Sequence, residues 1–132
     1  MGVATVEISA ANFQEAVGKP GILLVDFWAS WCGPCRSFAP VFEAAADKHP
    51  DVVFGKVNTE EQQELAAAFG IRSIPTIMVF RDSVLLFQQP GALPAEVLEQ
   101  LVERVKSLDM AEVQKEIERH QAEEAAQAPR QP

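Results

Sequence analysis

Residues 22–29, Ile-Leu-Leu-Val-Asp-Phe-Trp-Ala, are apolar at even and odd positions alike, apart from Asp26. A strand open to water on one face alternates apolar with polar side chains, so a run apolar on both parities belongs at the centre of a sheet covered on both sides. The chain must therefore supply helices for two faces. Both of its cysteines follow this strand directly, in Trp31-Cys32-Gly33-Pro34-Cys35.

The rest of the chain supplies those covering elements in order. Thr5 to Ile8 reads as a short first strand and Ser9 as the N-cap of a helix, with Phe13, Ala16 and Val17 on one face, which Gly18-Lys19-Pro20-Gly21 ends. After the cysteines, Phe38, Val41, Phe42 and Ala45 recur at helical spacing as far as His49-Pro50, and Pro40 in mid-helix is expected to kink the axis. Val52 to Asn58 is a third strand, parallel to the second because a helical crossover separates them. Glu60 to Phe69 reads as a helix with Leu65, Ala68 and Phe69 inward and Gly70 as its stop. Thr76–Phe80 and Val84–Gln89 form a hairpin around Arg81-Asp82-Ser83, and Pro94 opens a helix with Val97, Leu98, Leu101, Val102 and Val105 inward. The pattern is α/β, a mixed sheet with helices on both faces.

At 132 residues the chain fits one domain and an appendage. The boundary falls at Asp109, where Glu, Gln and Ala take over. Residues 1–108 are read as the domain and 109–132 as an acidic extension, helical from Met110 to Glu124 and disordered over the last eight residues.

Charge and hydropathy exclude several function classes. A net charge of -8 without a basic stretch repels phosphate backbones and anionic lipid heads, so nucleic-acid and membrane binding are not expected. The longest aliphatic run, Ile22 to Val25, is far short of a membrane span. The first lysine is Lys19, so no basic export leader is read at the N-terminus, and Val6 stands where a Gly2 myristoylation motif needs Ser or Thr. The expected location is the cytoplasm.

In that compartment a cysteine pair is a poor structural staple. Pro34 suits the first turn of a helix, where its missing N–H costs nothing. Two thiols three positions apart at a helix start can close a disulfide with each other. The unpaired N–H groups there favour a thiolate over a thiol. Cys32 is read as the nucleophile, its sulfur outward, and Cys35 as the less exposed thiol that resolves a mixed disulfide. Asp26, in an apolar strand just before the pair, is expected to have a raised pKa and to accept the proton of Cys35, with Lys56 on the adjoining strand as its electrostatic partner. A zinc site would need four ligands, and only His49 and the tail residue His120 stand beside the pair, so no metal is expected. His49 is read as a helix C-terminal residue facing the dipole. Trp31 is read as apolar surface for a partner peptide, and Trp28, like Pro40, as structural.

The ordered set Asp26-Phe27-Trp28-Ala29, Trp31-Cys32-Gly33-Pro34-Cys35, Ala39-Pro40, Lys56-Val57-Asn58, Gly70-Ile71-Arg72, Ile74-Pro75-Thr76 and Gly91-Ala92 resembles the thioredoxin family over residues 5–108. The resemblance implies a thioredoxin fold, Cys32 and Cys35 as attacking and resolving thiols, and Asp26 with Lys56 as the proton-handling pair. It further implies a cis peptide bond at Pro75 and a shallow docking surface of Trp31, Gly33, Pro34, Ile74, Pro75, Gly91 and Ala92. Gly33-Pro34 resembles the reducing branch of the family. The implied partners are disulfide-containing client proteins and an NADPH-dependent thioredoxin reductase, with a monomer that needs no cofactor beyond its own Cys32–Cys35 disulfide. Three departures are visible: Asp82-Ser83 in a turn where the family often has Gly, no tyrosine, and Gly55 inside a strand.

Overall fold

A central strand needs partners on both edges, and β2 (Ile22–Trp28) has them. It pairs in parallel with β3 (Val53–Asn58) and antiparallel with β4 (Thr76–Arg81). The structure, a computed structural model, describes residues 4–127. Short β1 (Thr5–Glu7) lies parallel to β3, and β5 (Val84–Pro90) antiparallel to β4, which gives a mixed five-stranded sheet of order β1-β3-β2-β4-β5.

Alternation sorts the strand side chains into two layers. Leu24, Phe54, Ile77 and Val79 pack against α2 (Gly33–Lys48), through Phe38 and Phe42, and against α4 (Ala95–Ser107), through Leu98, Val102 and Val105. On the opposite face Leu23, Val25, Phe27, Val57, Met78 and Phe80 meet Phe13, Ala16 and Val17 of α1 (Phe13–Gly18), together with Leu65 of α3 (Gln63–Ala68) and Phe69 just beyond it. Asp26 shares the parity of Leu24 and faces the α2 layer.

Several local expectations are corrected. The first helix starts at Phe13 and its N-cap is Asn12, because Ser9 is occupied in a preceding turn. There its N–H donates to Asn12 Oδ1, and its carbonyl accepts from the N–H groups of Asn12 and Phe13. The third helix starts at Gln63 because Asn58 first winds the chain into a turn, its side chain and carbonyl accepting from Glu60, Glu61 and Gln62. Its inward positions are consequently Leu65 and Ala66, with Phe69 following, while Ala68 is exposed. Val97 is 43% exposed, off the stripe of Leu98, Leu101, Val102 and Val105. The hairpin closes through two residues rather than three, Arg81 pairing with Val84 while Asp82 and Ser83 take φ of 51° and 70°. These left-handed values suit the twist of a tight hairpin, and no glycine is present to relieve them. Pro40 lies inside α2, in mid-helix as read from the sequence.

Gly55 has a packing reason. A Cβ built there would lie 2.5 Å from Ile8 Cγ1 and 2.9 Å from Ile8 Cδ1, and Ile8 is buried under α1. Gly55→Ala is expected to cost about 1–2 kcal/mol through overpacking, read as a lower urea midpoint at unchanged slope. An unchanged midpoint would mean that Ile8 yields freely.

His49 caps α2, its N–H reaching the carbonyls of Ala45 and Ala46, and its buried ring joins α2 to α4. Lys106 Nζ donates to Nδ1 at 2.7 Å and also meets Asp51 at 3.1 Å. An ammonium can only donate, so Nδ1 is the acceptor and Nε2–H points to Glu99 Oε1 at 2.8 Å.

Helix α5 (Met110–Gln127) buries no residue completely. It runs through Ala125–Gln127, where disorder was expected, because Ala and Gln are good helix formers. The remainder of the expected disordered tail, residues 128–132, lies outside the described residues. Arg81 Nη1 donates to the carbonyls of Val105 and Leu108, and Asp109 Oδ1 accepts from the N–H groups of Ala111 and Glu112, so the α4–α5 joint is capped on both sides. No described helix is long and apolar enough to cross a membrane.

Candidate active site

The chain leaves β2 through buried Ala29 and makes a turn closed by Cys32 N–H to Ala29 O at 3.2 Å. Cys32 is the N-cap of α2, its Sγ accepting from Cys35 N–H at 3.2 Å, and Pro34 lies in the first turn. Cys32 and Cys35 are joined as a disulfide with Cα atoms 5.2 Å apart. Both sulfurs therefore sit where the helix presents its unpaired N–H groups. When the bond opens, that positive end favours a thiolate.

The outward sulfur expected of Cys32 is not observed. Cys32 is 4% exposed against 2% for Cys35. The ordering is as anticipated, but Cys32 is covered, with Ala29, Trp28 and Ile74 packed round the pair and the Ile74 carbonyl 3.6 Å from Cys32 Sγ.

That carbonyl precedes the cis Ile74–Pro75 bond. The loop is held on both sides: Thr76 Oγ1 donates to Ser73 O at 2.7 Å, and Gly91 N–H donates to Pro75 O at 2.7 Å. Gly91 has φ of 103°, a conformation side-chain-bearing residues avoid. Of the residues assigned to a docking surface, Trp31, Pro34, Gly91 and Ala92 are exposed, Gly33 and Ile74 half-buried, and Pro75 buried. Trp31, 68% exposed, is the largest apolar group next to the disulfide.

Asp26 is 1% exposed and neither carboxylate oxygen has a hydrogen-bond partner. Burial pushes its pKa up to about 7, and the charge of Lys56 opposes the rise. Lys56 is its register neighbour on β3 but forms no ion pair with it. The ammonium lies 3.9 Å from Glu43 Oε1 and 5.1 Å from the centre of the Trp28 ring. A cleft of about 380 Å³ lined by Thr5, Val6 and Glu7 of β1 and by Trp28, Lys56, Asn58 and Glu61 opens at Lys56 and does not include the cysteines. A carboxyl that titrates near neutral pH can take up and release a proton, and the cleft brings solvent to its neighbour Lys56.

Sequence reasoning missed two constellations. Glu60 Oε1 accepts from Ser30 N–H at 3.0 Å and Ser30 Oγ at 2.7 Å, while Arg36 Nη1 donates to Ser30 O at 3.0 Å. No local pattern links residues 30 apart in sequence. The second is His49 with Glu99 and Glu103, whose ligand atoms lie within 4.8 Å of one another. Lys106 occupies the lone pair of Nδ1 and leaves the proton on Nε2, so no imidazole lone pair faces the two carboxylates. His120 is exposed on α5, 3.9 Å from Glu123.

With this geometry established, comparison with known proteins gives concordant results. The family described as Thioredoxin matches residues 4–104. A Streptomyces coelicolor protein named "Putative thioredoxin 2" is 52% identical over 91% of this chain and 90% of its own length. A thioredoxin of Alicyclobacillus acidocaldarius is 46% identical over 73% of this chain and 92% of its own. Among solved structures, a mutant thioredoxin from Halobacterium salinarum superposes with a TM-score of 0.74 at 29% identity, covering 80% of this chain and 93% of that one.

Proposed function

The chain belongs to the thioredoxin family and is a thiol-disulfide oxidoreductase with protein-disulfide reductase activity, and we propose that it reduces client proteins through Cys32 and Cys35 and is itself re-reduced by an NADPH-dependent thioredoxin reductase. The observation that carries this reading is the Cys32–Cys35 pair at the N-terminus of α2, next to the Ile74–Pro75 loop and above a strand that contains a buried carboxyl.

The Cys32 thiolate attacks a substrate sulfur, forms a mixed disulfide and expels the first substrate thiolate. Asp26, as carboxylate, takes the proton of Cys35. The Cys35 thiolate then attacks Cys32 Sγ, which closes the Cys32–Cys35 disulfide and releases the second substrate sulfur. Two electrons pass to the substrate, and NADPH replaces them through the reductase. Lys56 tempers the charge on Asp26 without a direct bond that would lock it ionised. Trp31, Gly33, Pro34, Ile74, Pro75, Gly91 and Ala92 form a shallow rim for an extended client segment, a surface that suits many partners.

The unit that performs this is residues 1–108, and 109–132 is an extension; the family match over residues 4–104 and the absence of fully buried residues in α5 support the division. The protein works in the cytoplasm as a single chain whose cysteine pair is its whole redox equipment.

Catalytic amounts are expected to accelerate insulin disulfide reduction when NADPH and thioredoxin reductase are supplied, followed as NADPH oxidation. Failure with a reductase that turns over another thioredoxin would overturn the proposed electron source. Activity with dithiothreitol but not with the reductase would localise the error to that partner.

A further inference from the structure

Trp31 stands at the exposed corner of the Ala29–Cys32 turn and has little packing to fix it. Its position must come from the backbone on either side. That backbone is tied at unusual density: the Ser30 N–H and hydroxyl are both held by Glu60 Oε1, and the Ser30 carbonyl by the Arg36 guanidinium. The turn is already closed by its own Cys32 to Ala29 hydrogen bond, and the Ser30 groups are at the surface, where water would satisfy them. The two charged side chains are therefore not needed to form the turn.

We propose that Glu60 and Arg36 are positioning residues for substrate docking, clamping both peptide groups of Ser30 so that Trp31 is presented in one place beside Cys32. The clamp joins three elements, since Glu60 comes from the loop after β3 and Arg36 from the start of α2. Thr59 extends the seam, its N–H and hydroxyl both donating to Trp28 O at 2.8 and 3.0 Å. The Ser30 donors hold the Glu60 carboxyl below its ordinary pKa, and what they require of it is one acceptor oxygen. A docking residue fixed beforehand loses less entropy when a partner lands on it. The inference rests on the reading of Trp31 as docking surface and adds the residues that make that surface rigid.

The experiment compares full-length wild type, Glu60→Ala, Glu60→Gln and Trp31→Ala in dithiothreitol-driven insulin reduction. Folding is checked by circular dichroism and Trp31 is observed by ¹⁹F resonance after 5-fluorotryptophan labelling. Glu60→Ala is expected to raise KM for insulin about fivefold with kcat unchanged and to move the Trp31 resonance toward its unfolded position. Glu60→Gln keeps an acceptor oxygen and is expected to restore both readouts. A raised KM for Trp31→Ala beside a wild-type KM and an unmoved resonance for Glu60→Ala overturns the clamp alone. A wild-type KM for Trp31→Ala overturns the docking role of Trp31, and the clamp with it.

Discussion

A Cys35→Ser variant is expected to stop halfway through the reaction and accumulate a one-to-one mixed disulfide with a protein substrate, while Cys32→Ser forms none. The two cysteines are chemically alike and three residues apart, so the asymmetry has to come from position. Cys32 is the N-cap, directly after exposed Trp31, and lies at the carbonyl of half-buried Ile74. Cys35 is inside the first turn and is the more covered of the two. Turnover should fall by at least roughly a thousandfold in either variant, because each step of the exchange requires its own thiol. The products differ: non-reducing mass spectrometry should find the adduct only with Cys35→Ser. An adduct on Cys35 in the Cys32→Ser protein, and none in the converse, would exchange the proposed roles.

The second large effect is on stability. Raising the Asp26 pKa from 3.8 to about 7 means the folded protein binds this proton far more tightly than the unfolded chain. Between those values the native state carries more protons, so stability falls as pH rises, and above about 7 the deficit is constant. At about 1.36 kcal/mol for each tenfold change in proton affinity, the loss is roughly 4 kcal/mol. Asp26→Asn keeps the shape and an unpaired polar group but cannot ionise. In the oxidised protein, urea unfolding should therefore show similar stability for the two at pH 4 and a gap in favour of the variant that opens to about 4 kcal/mol by pH 8. Parallel profiles would mean that Asp26 reaches solvent or a partner and is not a buried, unpartnered carboxyl.

Asp26 was legible because a charged residue in a run apolar on both parities is anomalous, and desolvation follows from the same run that makes the strand central. The cysteine pair was legible because its spacing, the neighbouring proline and the preceding strand agree. Helix starts were less so. Ser9 is a good cap by type, yet the helix starts only after Asn12, whose side chain bonds back to the Ser9 N–H and the Glu7 carbonyl, and Asn58 delays α3 by accepting from the Glu60 N–H ahead of it. These contests are decided by side-chain reach, which residue type alone does not encode. The Ser30 clamp and the His49, Glu99 and Lys106 contacts join residues far apart in sequence and exist only once the sheet order is set. The covering of Cys32 is of the same kind, since Ile74 arrives from the other side of the molecule's chain order.

β2 is hydrogen-bonded along both edges and packed on both faces. For a thiol-disulfide oxidoreductase this has a mechanical meaning. The sulfurs are mounted where a strand bonded along both edges meets the start of a 16-residue helix, so the frame that holds them is made by bonds other than their own. A mount of this kind leaves the cysteine pair to encounter and sulfur exchange, with the sheet as its fixed support.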